Sequence, residues 1–192
     1  MLGIVSSQSR PLRRDAQRNR ALLVAAAREV FGVKGLDAPL EEIARKAGVA
    51  IGTLYNRFPT RAALIEAAFL GILEQAVEIC EGALKLDDPW DGFVYYLEQT
   101  CEMQAMDRGL TELCAGNITG APGLDAAKAR GVEALHRIIE RAQKAGQLRA
   151  DFQVADLTTL VSATARAAEY GPDPDSWRRH LGFLLDGLRA NG

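Results

Sequence analysis

Residues 39–61 read PLEEIARKAGVAIGTLYNRFPTR, and this stretch decides the fold because it predicts two short amphipathic helices joined by a glycine turn. In the first helix, apolar residues recur at positions i, i+3, i+4 and i+7 and form one face, made of Leu40, Ile43, Ala44 and Ala47. Gly48 follows directly, where a residue with positive φ commonly ends a helix.

The second helix, over about residues 51–58, has little apolar surface of its own. Only Leu54 and Phe58 are clearly inward residues. A helix this short is not stable alone, so it must pack against the first helix and against a third element behind it. Its outward face then predicts a helix-turn-helix whose second helix enters the major groove of DNA.

The segments IARKAGVAIGTLYNRFPTRAAL (43–64) and VAAAREVFGVKG (24–35) resemble the TetR family of bacterial transcriptional regulators. The resemblance covers roughly the first quarter to third of the chain, and the run of G-T-L-Y, F-P and R-x-A-L motifs makes it specific. It implies a homodimer, most often a repressor, that binds a palindromic DNA operator and is released when a small-molecule effector binds the C-terminal domain. The odd count of three cysteines, without tight spacing, separately favours a reduced, cytoplasmic environment.

Four positions depart from the family pattern. Family members often have Ser or Thr where Ala50 stands, and Ala50 cannot cap the second helix, a loss of about 0.5–2 kcal/mol. Ile51 replaces a polar or basic residue; it offers a base edge no hydrogen bond but can contact a thymine methyl group. Ala38 and Pro39 likewise replace a frequent Thr pair that contacts phosphate.

Positive charge is concentrated on and just before this stretch. Residues 1–60 carry ten Lys/Arg against five Asp/Glu, whereas residues 61–192 carry thirteen against twenty. The basic part suits DNA phosphates, and the acidic part would be repelled by them. We therefore expect two domains: residues 1–60, with an N-terminal arm and the helix-turn-helix, and residues 61–192, for ligand binding and dimerisation.

The DNA contacts are predicted on the outward face of the second helix and on nearby arginines. Residues 1–11 are interpreted as a disordered arm that leads into a basic cluster, ahead of a helix from about residue 15 to residue 34. The predicted DNA-binding residues are Arg13, Arg14, Arg18, Ile51, Gly52, Thr53, Tyr55, Asn56, Arg57 and Arg61.

Helical periodicity continues to the C-terminus without a strand pattern, so the sequence predicts an all-α protein of about nine helices. The middle helices carry aromatic, methionine and polar residues that could line a cavity for an apolar or amphipathic effector, although such residues are more often simply core. The candidate ligand-binding residues are Tyr95, Tyr96, Gln99, Met103, Met106, Leu113, Cys114, Ile118, His136, Ile139 and Arg166.

The last two helices, over about residues 151–170 and 175–190, each carry an apolar stripe that could pack on the same pair from a second subunit. The family resemblance points to the same four-helix dimer interface. The candidate dimerisation residues are Leu157, Leu160, Val161, Thr164, Ala168, Leu181, Leu184, Leu185 and Leu188.

Other functions find less support in the sequence. Glu133-x-x-His136 matches half of a di-metal site, but the second half is missing, so we expect no metal, no other cofactor and no enzyme activity. Cys101 or Cys114 could sense redox state, although free cysteines are usually core residues. No apolar run approaches a membrane span. The alternative to a regulator is a helical ligand-binding or protein-docking module without operator binding.

Overall fold

A computed structural model of the chain describes residues 9–116, 118–171, 173 and 175–190, with the side chains of residues 9–14 and 168–170 left aside. Over these residues the chain is all-α and forms nine helices, which confirms the predicted fold class. The helices are α1 (Ser9–Lys34), α2 (Leu40–Lys46), α3 (Ile51–Arg57), α4 (Arg61–Lys85), α5 (Pro89–Ala105), α6 (Arg108–Ala115), α7 (Pro122–Lys144), α8 (Val154–Tyr170) and α9 (Ser176–Leu188).

Helix α1 begins at Ser9, six residues before the predicted start, so part of the expected arm is helical. Pro11 does not prevent this, because it lies in the first helical turn, where the N–H groups have no partner within the helix. The prediction of a disordered arm was wrong for residues 9–11, and residues 1–8 lie outside the described part of the chain.

Side chains and glycines close to the helix ends set where several helices begin or end. Gly48 has a φ of 69° and ends the α2 turn. The Thr60 hydroxyl accepts a hydrogen bond from the Ala63 N–H at 3.1 Å, and the Asp88 carboxylate accepts from the N–H groups of the α5 first turn. Ala50, as expected, provides no side-chain cap for α3.

The buried apolar residues form two clusters. The first joins α1, α2, α3 and the first half of α4, and continues into α6 and the start of α7 through Leu110, Leu113 and Leu124. The second joins the end of α4 with α5, the rest of α7, α8 and α9. The division of the chain at residue 60 stays a prediction, since the packing of α1 to α3 extends across it onto α6.

The residue after α9 makes an isolated antiparallel bridge, between Leu148 and Arg189, which the sequence did not predict. The Arg149 N–H donates to the Leu188 carbonyl, and the Ala190 N–H donates to the Gln147 carbonyl, each at 3.0 Å. These two bonds hold the end of α9 against the turn that follows α7. No helix in the described ranges is long and apolar enough to cross a membrane.

Candidate DNA-binding interface and effector cavity

Helix α3 presents a mixed face to solvent. Ile51 is 36% exposed and Tyr55 is 48% exposed, while Leu54 is fully buried beneath them. Gly52, Asn56 and Arg57 are also exposed, and Thr53 is half-buried. The outward residues predicted on α3 thus share one accessible surface, which combines methyl, hydroxyl, amide and guanidinium groups.

The arginines predicted to contact DNA occupy different environments. Arg18 is exposed on α1, and the side chains of Arg13 and Arg14 lie outside those described. The half-buried Arg61 instead donates through Nη1 to the carbonyls of Leu36 and Ala38, at 2.8 and 2.7 Å. These bonds assign Arg61 a structural role, because they hold the start of α4 to the turn between α1 and α2. Its phosphate contact stays a prediction.

Two ion pairs link α1 to α2 within the predicted DNA-binding region, which comprises α1, α2 and α3. The Lys34 ammonium lies 2.7 Å from the Glu42 carboxylate, and this hydrogen bond holds the pKa of Glu42 below its ordinary value. Lys46 makes a second pair with Glu29, also at 2.7 Å. Each pair joins one positive and one negative group, so the net positive charge of this region rests on its remaining basic residues.

Helix α6 is bonded directly to the DNA-binding region. The Glu112 carboxylate accepts a hydrogen bond from the Leu36 N–H at 2.7 Å and another from Arg108 Nε at 2.9 Å. At the other end of α6, the buried Asp107 carboxylate forms an ion pair with Arg28 of α1 and caps the helix through the Leu110 N–H at 2.8 Å. We call these contacts of Glu112 and Asp107 the α6 joint.

The α6 joint depends on two glycines. A Cβ at Gly109 would lie 2.6 Å from the Phe31 carbonyl oxygen and 2.8 Å from the Phe69 ring. Gly35 has a φ of 85°, and a Cβ there would lie 2.5 Å from the Glu112 carboxylate. The close approach of α1 and α6 therefore requires glycine at position 109, whereas at position 35 it is the positive φ that favours glycine.

The same helix α6 forms one wall of a cavity of about 520 Å³ between α5, α6, α7 and α8, with Ala76 contributed by α4. Its apolar lining comprises Leu110, Val132, Leu135, Leu157 and Val161, among others. A volume of this size falls within the range of small-molecule sites in proteins. The described part of the chain thus places an effector-sized space directly beside the α6 joint.

The cavity also holds a few polar groups. Thr100 Oγ1 and Gln104 Oε1 are buried without a hydrogen-bond partner, although the Tyr96 hydroxyl lies near Thr100. Burial raises the pKa of Tyr96, so its phenol stays neutral. The half-buried Lys128 ammonium donates to the Leu113 and Gly116 carbonyls at 2.7 and 2.6 Å and thereby caps the end of α6, while burial lowers its pKa.

Three of the eleven predicted ligand-binding residues line this cavity, namely Tyr96, Met103 and Cys114. The other eight lie elsewhere, because helical periodicity does not indicate which neighbour each face meets. Leu113 is fully buried and Ile118 packs on the first apolar cluster; Gln99 is half-buried and Tyr95 is exposed. Met106 and Arg166 line one surface depression, and His136 and Ile139 line a second one.

The sequence analysis did not identify Thr100, Gln104 and Lys128 as candidate ligand-binding residues. The sequence does contain a signal for Thr100 and Gln104, because Tyr96, Thr100 and Gln104 follow one another at intervals of four residues on α5. Polar groups at this spacing on an otherwise apolar helix face indicate a lined cavity. No comparable signal exists for Lys128, which reaches the cavity only through the packing of α7 on α6.

Most of the predicted dimerisation residues are already buried within one chain. Leu157, Val161, Thr164, Leu181 and Leu188 are at most 9% exposed, and the side chain of Ala168 lies outside those described. Leu160, Leu184 and Leu185 are half-buried. The stripe therefore marks mainly the inward face of α8 and α9, because periodicity alone does not distinguish the inside of a chain from a subunit contact.

A different residue dominates the outward face of α9. Phe183 is 62% exposed, and the Arg179 guanidinium lies 5.4 Å from the centroid of its ring. Leu160, Ala163, His180 and Leu184 line a surface depression of α8 and α9. Phe183 and Leu184 thus supply apolar surface suited to a subunit contact.

The sequence also raised two further candidates, a metal site and a redox-sensing cysteine. The described residues contain no group of three or more His, Cys, Asp or Glu that could hold a metal ion. Burial raises the pKa of Cys114 to about 11 and of Cys101 to about 12, so both thiols stay protonated near neutral pH.

Comparison with known proteins gives two matching family models. Residues 23–68 match bacterial regulatory proteins of the tetR family, and residues 88–190 match the C-terminal domain of SbtR-like transcriptional regulators. An uncharacterised HTH-type transcriptional regulator of Bacillus subtilis, YvdT, is 33% identical over 94 residues. That match spans 48% of this chain and 48% of the relative, so it covers about half the length of the curated protein.

Solved structures match over most of the chain. A TetR transcriptional regulator from Streptomyces coelicolor is 32% identical with a TM-score of 0.58, over 90% of this chain and 99% of that one. A TetR regulatory protein from Mycobacterium vanbaalenii is 31% identical with a TM-score of 0.53, over 93% and 99%. A ketosteroid transcriptional regulator of Mycobacterium tuberculosis, 16% identical with a TM-score of 0.65 over 90% and 95%, shares the fold.

Proposed function

Because this chain belongs to the TetR family of bacterial regulatory proteins, we propose that it is a repressor that leaves its DNA operator when a small molecule occupies the cavity between α5, α6, α7 and α8. The chain is a DNA-binding transcriptional regulator. Its repressor role, the palindromic operator, the homodimer and the release by an effector are the parts that we propose.

The observation that carries the proposal is the position of α6. This helix lines the cavity with Leu110 and Cys114 and holds the DNA-binding region through Glu112 and Asp107. A ligand that moves α6 must therefore also alter the bonds to Leu36 and Arg28. Such a ligand changes DNA affinity to the extent that it binds the two arrangements differently.

The DNA-bound form is a homodimer whose two α3 helices enter successive major grooves. Two-fold symmetry requires a palindromic operator with half-sites about one helical turn, or 34–36 Å, apart. Ile51 and Asn56, with Tyr55, contact base edges, and Thr53, Arg57 and the α1 arginines hold phosphates. The subunits associate through the outward face of α8 and α9, where Phe183 is exposed.

A gel shift with the DNA that flanks the gene tests the proposal. We expect a shift at low salt from the purified dimer, with its oligomeric state confirmed by sedimentation. The absence of any shift from a folded dimer would favour the alternative of a module without operator binding. Transcription that falls when the gene is deleted would argue for an activator.

Arg57→Ala should weaken binding about equally for all DNA sequences. Arg57 is exposed at the end of α3, so its loss removes one phosphate contact per subunit, two per dimer, and lowers the magnitude of the slope of log K against log[salt] by about two. Titrations of operator and unrelated DNA at several salt concentrations measure both effects. Ile51→Ala is the control, because it removes a methyl contact and should relax the preference at one thymine without changing the slope. An unchanged slope for Arg57→Ala would exclude it from the phosphate contacts.

Glu112→Ala should release the turn between α1 and α2 from α6. The variant leaves the Leu36 N–H without its acceptor, so this amide should exchange with deuterium at least about tenfold faster. A tenfold change corresponds to a free energy of local opening that is lower by about 1.4 kcal/mol. Hydrogen exchange of peptides covering residues 35–38 measures it. Glu112→Gln keeps an acceptor oxygen and should retain most of the protection. Equal exchange in the wild type and in Glu112→Ala would show that the bond does not hold the turn.

A further inference from the structure

Two buried side chains on the cavity wall lack a full set of hydrogen bonds. Thr100 is 7% exposed and Gln104 is 5% exposed; Gln104 Oε1 has no hydrogen-bond partner, and Thr100 Oγ1 has none of good geometry, with the Tyr96 hydroxyl as its polar neighbour. Both side chains lie four residues apart on α5 and both line the cavity. Buried polar groups are almost always paired, so an unpaired couple on one cavity wall indicates that a ligand provides the missing partner.

The hydrogen-bonding capacities of Thr100 and Gln104 limit which chemical group of a ligand can bind to both. Gln104 Oε1 requires a donor, whereas the Thr100 hydroxyl can either donate or accept. A hydroxyl group meets both needs at once, because it donates to Gln104 and accepts from Thr100. A carboxylate or a ketone could not donate to Gln104 Oε1 and would bind only with the amide rotated, so that Nε2 becomes the donor.

The other side chains of the cavity wall indicate the polarity and charge of the rest of the ligand. Most of the lining side chains are apolar, and no carboxylate is among the described residues that line the cavity. Among the described lining residues, the Lys128 ammonium is the only charged group, and it disfavours a cationic ligand. An apolar body therefore suits the space between Leu110, Leu135 and Val161.

We propose that this cavity binds an apolar alcohol or phenol, anchored through its hydroxyl group by Gln104 Oε1 and Thr100 Oγ1. The inference rests on the proposed function only for the consequence of binding, namely release from DNA. Binding itself follows from the cavity and can be measured on the full chain without DNA.

Matched pairs of probes test the ligand class by calorimetry on the full-length protein. The pairs are 2-naphthol with 2-methylnaphthalene and 4-ethylphenol with 4-ethyltoluene, which exchange a hydroxyl for a methyl group of similar size. We expect each hydroxyl probe to bind at least about tenfold more tightly than its methyl partner. A cavity that is merely apolar predicts the opposite order, because the methyl probes are more hydrophobic.

Variants of the two anchors complete the test. Thr100→Val with Gln104→Leu should abolish the preference for hydroxyl probes and should also raise the Tm of the empty protein by about 2–4 °C, since unpaired buried groups are removed. Thr164→Val is the matched control: its hydroxyl is buried and unpaired as well, but Thr164 does not line the cavity, so the preference should persist.

Three results would overturn the inference: methyl probes that bind as tightly as hydroxyl probes, no saturable binding of either hydroxyl probe, or a preference that survives in the double variant. A lower Tm for Thr100→Val would show that Thr100 is paired within the chain, with Tyr96 as its neighbour, and would also count against it. None of these results bears on operator binding, which the gel shift measures separately.

Discussion

Gly109→Ala is expected to lower the free energy of unfolding by about 3 kcal/mol, the upper end of the cost of overpacking a core. The added Cβ would lie 2.6 Å from a backbone oxygen, that of Phe31, and 2.8 Å from the Phe69 ring. A backbone atom cannot turn aside as a flexible side chain can, so α1 and α6 must separate. For a chain of this length, the change corresponds to a fall in Tm of about 6–12 °C.

Thermal unfolding at one fixed protein concentration measures this effect, because subunit association makes Tm depend on concentration. Gly71→Ala is the matched control. A Cβ at Gly71 meets nothing within 4 Å, and the position lies inside α4. We expect it to stabilise the protein by about 0.5–1 kcal/mol through helix propensity. Equal Tm values for the two variants would show that the close contact of α1 with α6 is not required.

Phe183→Glu is expected to dissociate the proposed dimer. The ring is 62% exposed on α9, and a two-fold interface would contain it twice, so each dimer would bury two carboxylates in place of two rings. A loss of about 2 kcal/mol per ring raises the dissociation constant of the dimer about a thousandfold. Sedimentation measures the dissociation, and operator affinity should fall with it because the two half-sites are no longer bound together.

Two control variants show whether the loss of the dimer depends on charge at position 183. Phe183→Leu retains an apolar side chain and should remain dimeric. Leu86→Glu places the same charge on another exposed apolar residue, 38% exposed at the end of α4, and should leave the dimer intact. A Phe183→Glu variant that still sediments as a dimer would place the subunit contact on another surface.

The sequence by itself determined the features that depend on neighbours along the chain. The periodicity of residues 40–47 and the glycine at position 48 specify α2 and its turn, and Thr60 and Asp88 specify where α4 and α5 begin. These are local signals, since caps, turns and amphipathic faces involve residues within a few positions of one another. The TetR family was recognisable for the same reason, because its motifs are contiguous.

Only the tertiary structure decided which side chains meet across helices. It brought Thr100 and Gln104 together with Lys128 around one cavity, and it turned Arg61 toward the Leu36 carbonyl. It also buried Leu157 and Leu181 within one chain and left Phe183 outside. A helical period identifies an apolar face but not the element that covers it, and that partner is set by contacts between residues far apart in sequence, such as Glu112 with the Leu36 N–H.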